Sequence, residues 1–399
     1  MRLMMLRLSR MIGTAFLLVA VLVTAARLLG APLGSGLAGV PIEPKREPVV
    51  LTLWYSTEKE QWLQAAIAQF AATAPTVDGR PIQVNLVGLG SNEIVERVAA
   101  QSWGAGAAPA AISPASQTQI DLLRARAGDV VLGGADAPQP LVVTPLVLVA
   151  WADRASALWP SGLPRQGFWQ GFHDALLDDK GWKAHGGKEA WGLIKFGHTS
   201  PASSNSGMQT LALLSYGCHG KVSGLTLADV QDAECQAWVS DLERTVPDFA
   251  ESTGAFMTDM VRFGPGKYDM ATVYENVALE QSAVAKGRGS SLKILYLPAT
   301  LLSDHPFAIL SGAWVAPEQQ QAARALRSYL LSELVQQLAL RSGFRPSNSS
   351  VSIGQGGADN PFVSAKDSGV QIDLGPQAEL PKAEVLQALV DAWTRQFGR

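Results

Sequence analysis

Several signatures of catalysis, metal binding and nucleic-acid recognition are missing from this sequence of 399 residues. It has no Gly-x-Ser-x-Gly elbow, no phosphate-binding glycine loop and no cysteine or histidine spacing typical of a metal site. Its formal net charge is −3, and no basic stripe occurs that could serve as an electrostatic footprint for nucleic acid. We therefore expect no metal, no cofactor and no nucleic-acid partner.

Cysteine is scarce, with only Cys218 and Cys235 in the chain, 17 residues apart. In an oxidising compartment the two would form one local disulfide, worth about 3 kcal/mol for a loop of that length. The alternative is a pair of free, buried thiols. No cysteine follows the apolar run near the N-terminus, which excludes lipoprotein processing.

The N-terminal 30 residues combine four arginines with no acidic residue, and residues 11–26 are uncharged and rich in Leu, Val and Ala. As a helix this run would span about 24 Å, whereas a bilayer core needs about 30 Å. Residues 1–30 therefore predict an export signal peptide, with an uncleaved membrane anchor as the alternative. A linker containing several prolines and glycines follows at residues 31–48.

The folded region begins near residue 49 and alternates strand patterns with helix patterns. Residues 49–55 form a continuous apolar run typical of a strand buried on both faces. A second strand pattern at residues 81–91 leads through a Gly-Ser turn into a helix at 92–101. This order predicts α/β architecture with mostly parallel sheets, and about 350 residues favour two lobes over one.

The stretch from residue 199 to 206 holds five hydroxyl residues and one asparagine, and a helical pattern follows it. Such a segment is a loop entering a helix N-terminus, where unpaired N–H groups and the positive end of the helix dipole can hold an anion or a polar molecule. Ser203, Ser204, Asn205 and Ser206 are therefore predicted to bind a ligand. Ordinary helix capping by one of these residues is the alternative.

Polar residues recur where other predicted strands end, which is where open α/β sheets bind ligands. The residues predicted to face the ligand from these positions are Ser56, Thr57, Gly90, Ser91 and Thr144. Capping and turn formation are the alternative roles for them.

Tyr274, the last residue of a short strand pattern at 270–274, and Glu275, which follows it, complete the predicted site. A glutamate facing the ligand would repel an oxyanion and attract a cationic or polyhydroxylated molecule; the alternative is a solvent-facing Glu at a helix start. His198, just before the hydroxyl-rich loop, is interpreted as a hydrogen-bonding strut. The Ser-Asp-His run at 303–305 is interpreted as a structural turn or the edge of a cleft.

Four segments carry a resemblance to a known family: LTLWYSTEKEQWLQAAIAQF, GHTSPASSNSG, LYLPATLLSDHPFAIL and LRSYLLSELVQQLALRSGFRP. Together they resemble the type II extracytoplasmic solute-binding proteins of ABC importers. The molybdate- and sulfate-like branch, which bacteria also fuse to von Willebrand factor A domains, is the most similar. The resemblance covers residues 51–346 and is weaker in the final helix.

The resemblance implies two α/β lobes joined by crossing hinge strands, with the ligand held between lobes that close upon it. Lobe one would comprise residues 49–145 and 290–399, and lobe two residues 146–289. The implied protein is a non-enzymatic monomer, in the periplasm or at the outer face of the cytoplasmic membrane. It would capture a small polar or anionic solute and deliver it to an ABC permease. The alternatives are a membrane-anchored sensor or surface protein with this fold and, less favoured because it lacks the elbow motif, a serine-type hydrolase.

Overall fold

The computed structural model describes residues 46–287, 289 and 291–398. The predicted signal peptide or anchor and nearly all of the predicted linker lie outside these residues. Within them, no helix has the length and apolar character needed to cross a membrane.

The structure alternates short strands with helices along most of the chain. The strands are β1 (Val49–Ser56), β2 (Thr76–Val77), β3 (Arg80–Leu89), β4 (Ala111–Ser113), β5 (Gln139–Pro140), β6 (Val142–Trp151), β7 (Phe196–Gly197), β8 (Met270–Tyr274), β9 (Leu292–Leu295), β10 (Leu302–Ser303), β11 (Pro306–Ile309) and β12 (Arg345–Pro346). The α-helices are α1 (Glu60–Ala72), α2 (Ser91–Ala99), α3 (Gln117–Ala127), α4 (Ala152–Leu158), α5 (Phe168–Leu177), α6 (Asn205–Cys218), α7 (Leu227–Gln231), α8 (Ala233–Glu243), α9 (Thr253–Phe263), α10 (Glu275–Gly287), α11 (Pro317–Leu330), α12 (Glu333–Arg341), α13 (Pro361–Ser364) and α14 (Ala383–Phe397).

The first sheet has the strand order β2-β3-β1-β4-β11-β5. Its centre, β3-β1-β4, is parallel, with Val49 opposite Ile82 and Leu53 opposite Ala111. Strand β1 is buried along nearly its whole length, as its continuous apolar sequence predicts. The outer strands β2, β11 and β5 pair antiparallel with their neighbours.

The second sheet is built around β6, which pairs antiparallel with β8, β9, β10 and β12. Within the described residues, β7 and β8 form its only parallel strand pair. The prediction of mostly parallel sheets therefore holds for the centre of the first sheet and is wrong for the second. The direction of these strands is set by the long segments between them, which include six α-helices between β6 and β8 and α10 between β8 and β9, and no local pattern encodes the direction in which such segments return the chain.

Hydrophobic side chains form separate cores around the two sheets. Leu53 is in contact with one core, whereas Leu148 belongs to the other. Strand β6 passes from one to the other, because Val142 packs in the first core and Leu146 in the second. The segment from Leu301 to β11 crosses in the opposite direction, from the second core to the first. The two sheets are therefore joined by chain segments that cross between them.

The last part of the chain packs with the second sheet. Leu386 and Trp393 of α14 belong to the second core, and α14 contacts α6 and α7. Strand β9 also pairs with β6. The assignment of residues 290–399 to lobe one stays a prediction. These contacts favour beginning that segment of lobe one near residue 301, and they favour placing the C-terminal helix with lobe two.

A disulfide joins Cys218 to Cys235, with the Cα atoms 5.8 Å apart. Cys218 is the last residue of α6, and Cys235 lies in the first turn of α8. The predicted disulfide is thus present, and it ties the end of the helix that follows the hydroxyl-rich loop to its neighbour.

Candidate functional site

Helix starts from the two sheets meet at the carboxyl edge of the first sheet. Because β1, β3 and β4 are parallel neighbours, Ser56, Gly90 and Ser113 lie at or just beyond the same edge. The loop before α6 reaches this edge, where the backbone N–H of Asn92 donates to the carbonyl oxygen of Ser203 at 3.0 Å. The tertiary structure therefore brings Gly90 and Ser203 together.

A chain of side-chain amides, which we call the amide network, runs through this meeting point. Gln119 in the first turn of α3 donates through Nε2 to Asn92 Oδ1 at 3.0 Å and to Asn205 Oδ1 at 2.9 Å. Asn205 in turn donates through Nδ2 to the Tyr274 hydroxyl at 2.8 Å and to Ser303 Oγ at 3.1 Å. All five side chains are buried. The network therefore connects two helices beside the first sheet to two strands of the second.

The hydroxyls of the predicted loop form a second buried cluster. Ser206 Oγ lies 2.8 Å from Thr199 Oγ1, 2.7 Å from Thr253 Oγ1 and 3.2 Å from Ser204 Oγ. Ser204 occupies the N-cap position of α6, but its hydroxyl makes no capping hydrogen bond. Capping therefore does not account for the run of hydroxyl residues, since most of them bond to one another across α6 and α9.

A buried charged cluster lies under the end of β1. Lys59 Nζ donates to Glu58 Oε1 at 3.0 Å, to the carbonyl oxygen of Pro114 at 3.4 Å and to Ser56 Oγ, and it lies 3.1 Å from His305 Nδ1. His305 has a backbone φ of 42°, in the left-handed region that a residue with a side chain seldom adopts. The Ser56 hydroxyl is therefore hydrogen-bonded to residues of the 3-10 turn that follows its strand, Thr57–Lys59.

The ionisation of this cluster follows from burial and pairing. Burial lowers the pKa of the His305 imidazole to about 4, and the Lys59 ammonium adds to the shift, so the ring is neutral at neutral pH. Burial raises the pKa of Glu58, but Lys59 and His305 outweigh burial and hold the carboxyl well below its usual range. The Glu58–Lys59 pair therefore adds no net charge to the site.

The remaining predicted residues of the strand ends have mainly local partners. Ser91 Oγ accepts a hydrogen bond from the Ala115 N–H at 3.0 Å, and Thr144 Oγ1 accepts one from the Asn276 N–H at 3.4 Å. Thr57 Oγ1 is buried and makes no hydrogen bond within the described residues. Their roles in ligand binding stay predictions.

Glu275 is fully buried and bound by Arg345. The guanidinium donates through Nε and Nη2 to the two carboxylate oxygens, both at 2.7 Å, and the Tyr296 hydroxyl donates to Oε1. Burial raises the pKa of Glu275, and Arg345 opposes that shift. The solvent-facing alternative is wrong, because the side chain has no exposed surface. The negative charge of Glu275 was expected to act on a ligand. It is instead paired with Arg345, which is distant in sequence.

His198 serves as the predicted strut. Its Nδ1 lies 2.8 Å from the Thr199 carbonyl oxygen, and its Nε2 lies 3.1 Å from Glu243 Oε1. Trp393 donates to the other oxygen of Glu243 at 2.7 Å. The base of the hydroxyl-rich loop is thereby fixed to α8 and α14.

Sequence reasoning missed most of the buried partners in this site. Lys59, Gln119, Gln209 and Asn276 are polar residues in helical patterns, which are more often solvent-facing. For Lys59 one signal existed, since a Glu-Lys pair directly after a fully apolar strand has little room to reach solvent. Among residues 46–287, 289 and 291–398, no three His, Cys, Asp or Glu side chains are grouped to hold a metal ion.

Most of this chain matches a known protein family. The model of the family described as bacterial extracellular solute-binding protein matches residues 51–345, which is more than half of the chain. No curated protein matches the sequence.

Solved structures share the fold at low sequence identity. The sulfate-binding protein SubI from Mycobacterium tuberculosis H37Rv is 18% identical, covering 87% of this chain and 97% of its own, with a TM-score of 0.51. Iron-bound HitA from Pseudomonas aeruginosa is 16% identical, covering 86% and 99%, with a TM-score of 0.53. Maltose-bound MalE3 from T. maritima is 15% identical, covering 87% and 95%, with a TM-score of 0.55. These likenesses confirm the two-lobe α/β fold of type II periplasmic-binding proteins. Because the sequence identities are low, they show the fold alone.

Proposed function

Because the chain belongs to the bacterial extracellular solute-binding proteins, we propose that it captures a small polar solute between its two lobes. The observation that supports this most directly is the bond between Gln119 and Asn205, at 2.9 Å. The two side chains come from helices that flank different sheets, and both are buried. Such a contact spans the two lobes, as closure over a solute requires.

Closure over polar side chains is stabilised by a ligand that pairs with the groups left without a partner. Burying hydroxyl and amide groups removes their hydrogen bonds to water, which costs about 1–3 kcal/mol for each group left unpaired. A solute that pairs with these groups stabilises the closed arrangement and leaves the open one unaffected. Binding by lobe closure about the crossing segments is therefore the behaviour that this arrangement favours.

We propose that the lobes correspond broadly to the predicted division, with lobe two extended to residue 301 and joined by the C-terminal residues 347–398. Val351 and Phe362 in this last segment belong to the second core, which supports the assignment. Transfer of the solute to an ABC permease on the extracytoplasmic side, by a monomer, completes the proposal. It is supported by family membership and by the fold it shares with a structure described as the substrate-binding protein of an ABC transporter from Agrobacterium tumefaciens.

The test is a binding screen on the purified protein. Thermal shift against oxyanions, sugars, amino acids and amines, followed by titration calorimetry of the hits, should find at least one solute that binds saturably at one site per chain. Asn205→Ala should weaken that binding strongly, because it removes the centre of the amide network.

The matched control is Asn85→Ala. Asn85 lies on β3, and its side chain accepts a long hydrogen bond, 3.5 Å, from Gln83. This variant should bind like the wild type. If no solute class binds the folded protein, or if both variants lose binding equally, the proposed function is wrong.

A further inference from the structure

A groove lies where α2 of lobe one faces the hydroxyl-rich loop of lobe two, and we call it the lateral groove. Residues 93–97 of α2 form one wall, and the loop at 200–203, the segment 246–251 and the end of α14 form the others. Its volume is about 1140 Å³, close to the upper end of the roughly 300–1,000 Å³ of small-molecule sites. Because its walls come from both lobes, a molecule in the lateral groove contacts both of them.

Main-chain pairing turns three side chains of lobe two toward the lateral groove. Thr199 and Ala250 form a parallel bridge, and the Ser200 N–H donates to the Ala250 carbonyl oxygen at 2.9 Å. Side chains alternate between the two faces of extended, paired segments, so Ser200, Phe249 and Glu251 share the face opposite to Thr199 and Ala250. All three line the lateral groove.

The Ser200 hydroxyl is a buried polar group that a bound molecule can reach. Ser200 is 8% exposed, and its hydroxyl makes no hydrogen bond within the described residues. Unlike the Thr57 hydroxyl, however, it is not sealed from solvent. The small exposed surface of Ser200 therefore includes Oγ and opens into the lateral groove. Since buried polar groups nearly always have a partner, an unpaired hydroxyl at the wall of a groove indicates a ligand.

The charged side chains of the lateral groove are paired, with the exception of Glu251. Ion pairs of 2.6–3.1 Å join Glu93 to Arg97, Glu96 to Arg126, Arg244 to Asp241 and Asp248 to Lys267. Within the described part of the chain, the carboxylate of Glu251 has neither an ion pair nor a hydrogen bond. It would repel an anion in the lateral groove and attract a cation, and the attraction strengthens as the bound molecule displaces water.

Aromatic rings supply the apolar side of the lateral groove. Phe249 meets Trp393 edge to face with 5.0 Å between ring centroids, and Phe397 lies 6.5 Å from Phe249. Trp393 is buried, whereas Phe249 and Phe397 are half-buried and line the groove. These two rings offer apolar surface to a ligand, and the face of an aromatic ring also attracts cations.

We propose that the lateral groove holds the solute, and that the solute is an organic cation with an apolar body. Its positive group lies beside Glu251 and Ser200, and its apolar body packs against Phe249 and Phe397. This inference rests on the proposed function of solute capture. It specifies the place and the chemical class of the solute, which family membership leaves open.

The test compares molecules of the same shape and different charge. The purified protein is titrated by calorimetry with 2-phenylethylammonium, with the neutral 2-phenylethanol and with the anionic 3-phenylpropanoate. We expect the ammonium to bind saturably at one site per chain and the alcohol to bind at least about tenfold more weakly. The carboxylate should not bind.

Two variants assign the binding to the lateral groove. Glu251→Gln removes the unpaired charge but keeps the carbonyl oxygen that accepts from Ser203 Oγ at 3.1 Å. It should weaken ammonium binding several-fold, with a smaller effect at high salt, and bring it close to that of the alcohol. Phe397→Ala should weaken binding of both molecules, because both pack on the ring.

Glu384→Gln is the matched control for Glu251→Gln. Glu384 is exposed in the first turn of α14, at the opposite end of that helix from the lateral groove. This variant loses the same charge and should bind the ammonium as the wild type does.

The outcomes separate this inference from the proposed function. Saturable binding of an oxyanion or a sugar without ammonium binding overturns the cation inference and leaves solute capture intact. Equal binding of the ammonium and the alcohol overturns it too, as does ammonium binding that Glu251→Gln leaves unchanged. Silence of the folded protein toward every class contradicts solute capture, and the cation inference with it.

Discussion

Gly90 lies so close to the carbonyl oxygen of Ser203 that a Cβ atom at Gly90 would be 2.5 Å from it. The backbone φ of Gly90 is −67°, which any residue can adopt, so glycine is needed for the contact and not for the conformation. The same carbonyl accepts the N–H of Asn92 at 3.0 Å. This close approach between the start of α2 and the loop before α6 is therefore possible only because Gly90 has no side chain.

Gly90→Ala should hold the lobes apart. The added carbon would lie about 1 Å inside the usual contact distance of about 3.5 Å, so the Asn92–Ser203 hydrogen bond should lengthen or break. The measurement is hydrogen–deuterium exchange of the Asn92 amide, which should be faster in the variant, and small-angle scattering, which should give a larger radius of gyration.

Gly133→Ala is the control, because a Cβ atom at Gly133 meets nothing within 4 Å. It should exchange and scatter as the wild type does. Unchanged exchange in Gly90→Ala would contradict the proposed role of this glycine in closure.

Arg345→Met should destabilise the protein by about 3–5 kcal/mol, since it leaves the buried Glu275 carboxylate without its bidentate partner. The double variant Glu275→Gln with Arg345→Met should recover much of that loss, because no unpaired charge remains. Urea unfolding of the wild type, both single variants and the double variant measures the coupling. A double variant no more stable than Arg345→Met alone would rule out charge burial as the reason.

His305 should make stability depend on pH on the acid side. Its pKa is lowered from 6.5 to about 4 by burial, so between these values the unfolded chain binds a proton that the native protein does not. Stability is therefore complete above pH 6.5 and falls as the pH is lowered, by about 2–3 kcal/mol between pH 7.5 and 4.5.

The measurement for His305 is urea unfolding at both pH values, with His305→Gln as the comparison. Other titrating groups are common to the two proteins, so the variant should lose less stability on acidification. Equal losses would show that the imidazole does not remain neutral in the native state.

Reduction of the disulfide should lower the free energy of unfolding by about 3 kcal/mol, because the closed loop spans 17 residues. Unfolding is compared with and without a phosphine reductant. The double variant Cys218→Ser with Cys235→Ser should be as unstable as the reduced wild type and insensitive to the reductant. A reductant effect that persists in this variant would indicate a different cause.

Local sequence patterns were sufficient for the elements and for their polar ends. The apolar run after residue 48 predicts β1, and the hydroxyl-rich loop predicts the start of α6, because burial on both faces and helix initiation leave signatures within a few residues. Strand direction was predicted less well. Whether β9 and β12 run parallel or antiparallel to β6 depends on chain reversals that no local pattern encodes.

Local sequence patterns could not predict which side chains pair with one another within the site. Arg345 meets Glu275 across 70 positions, and Gln119 meets Asn205 across 86. An isolated glutamine or arginine in a helical or loop pattern has the same appearance whether it faces water or a buried acceptor. Its surroundings are set only when distant segments pack together.

The sequence by itself therefore determined that this chain builds alternating strands and helices and places hydroxyl and amide groups at helix starts, since both properties depend on neighbouring residues. The tertiary structure alone decided that Gly90 meets Ser203, that Glu275 is neutralised by Arg345, and that Gln119 is bonded to Asn205. Each of these contacts joins residues far apart in the chain, and only the packing of distant segments brings them together.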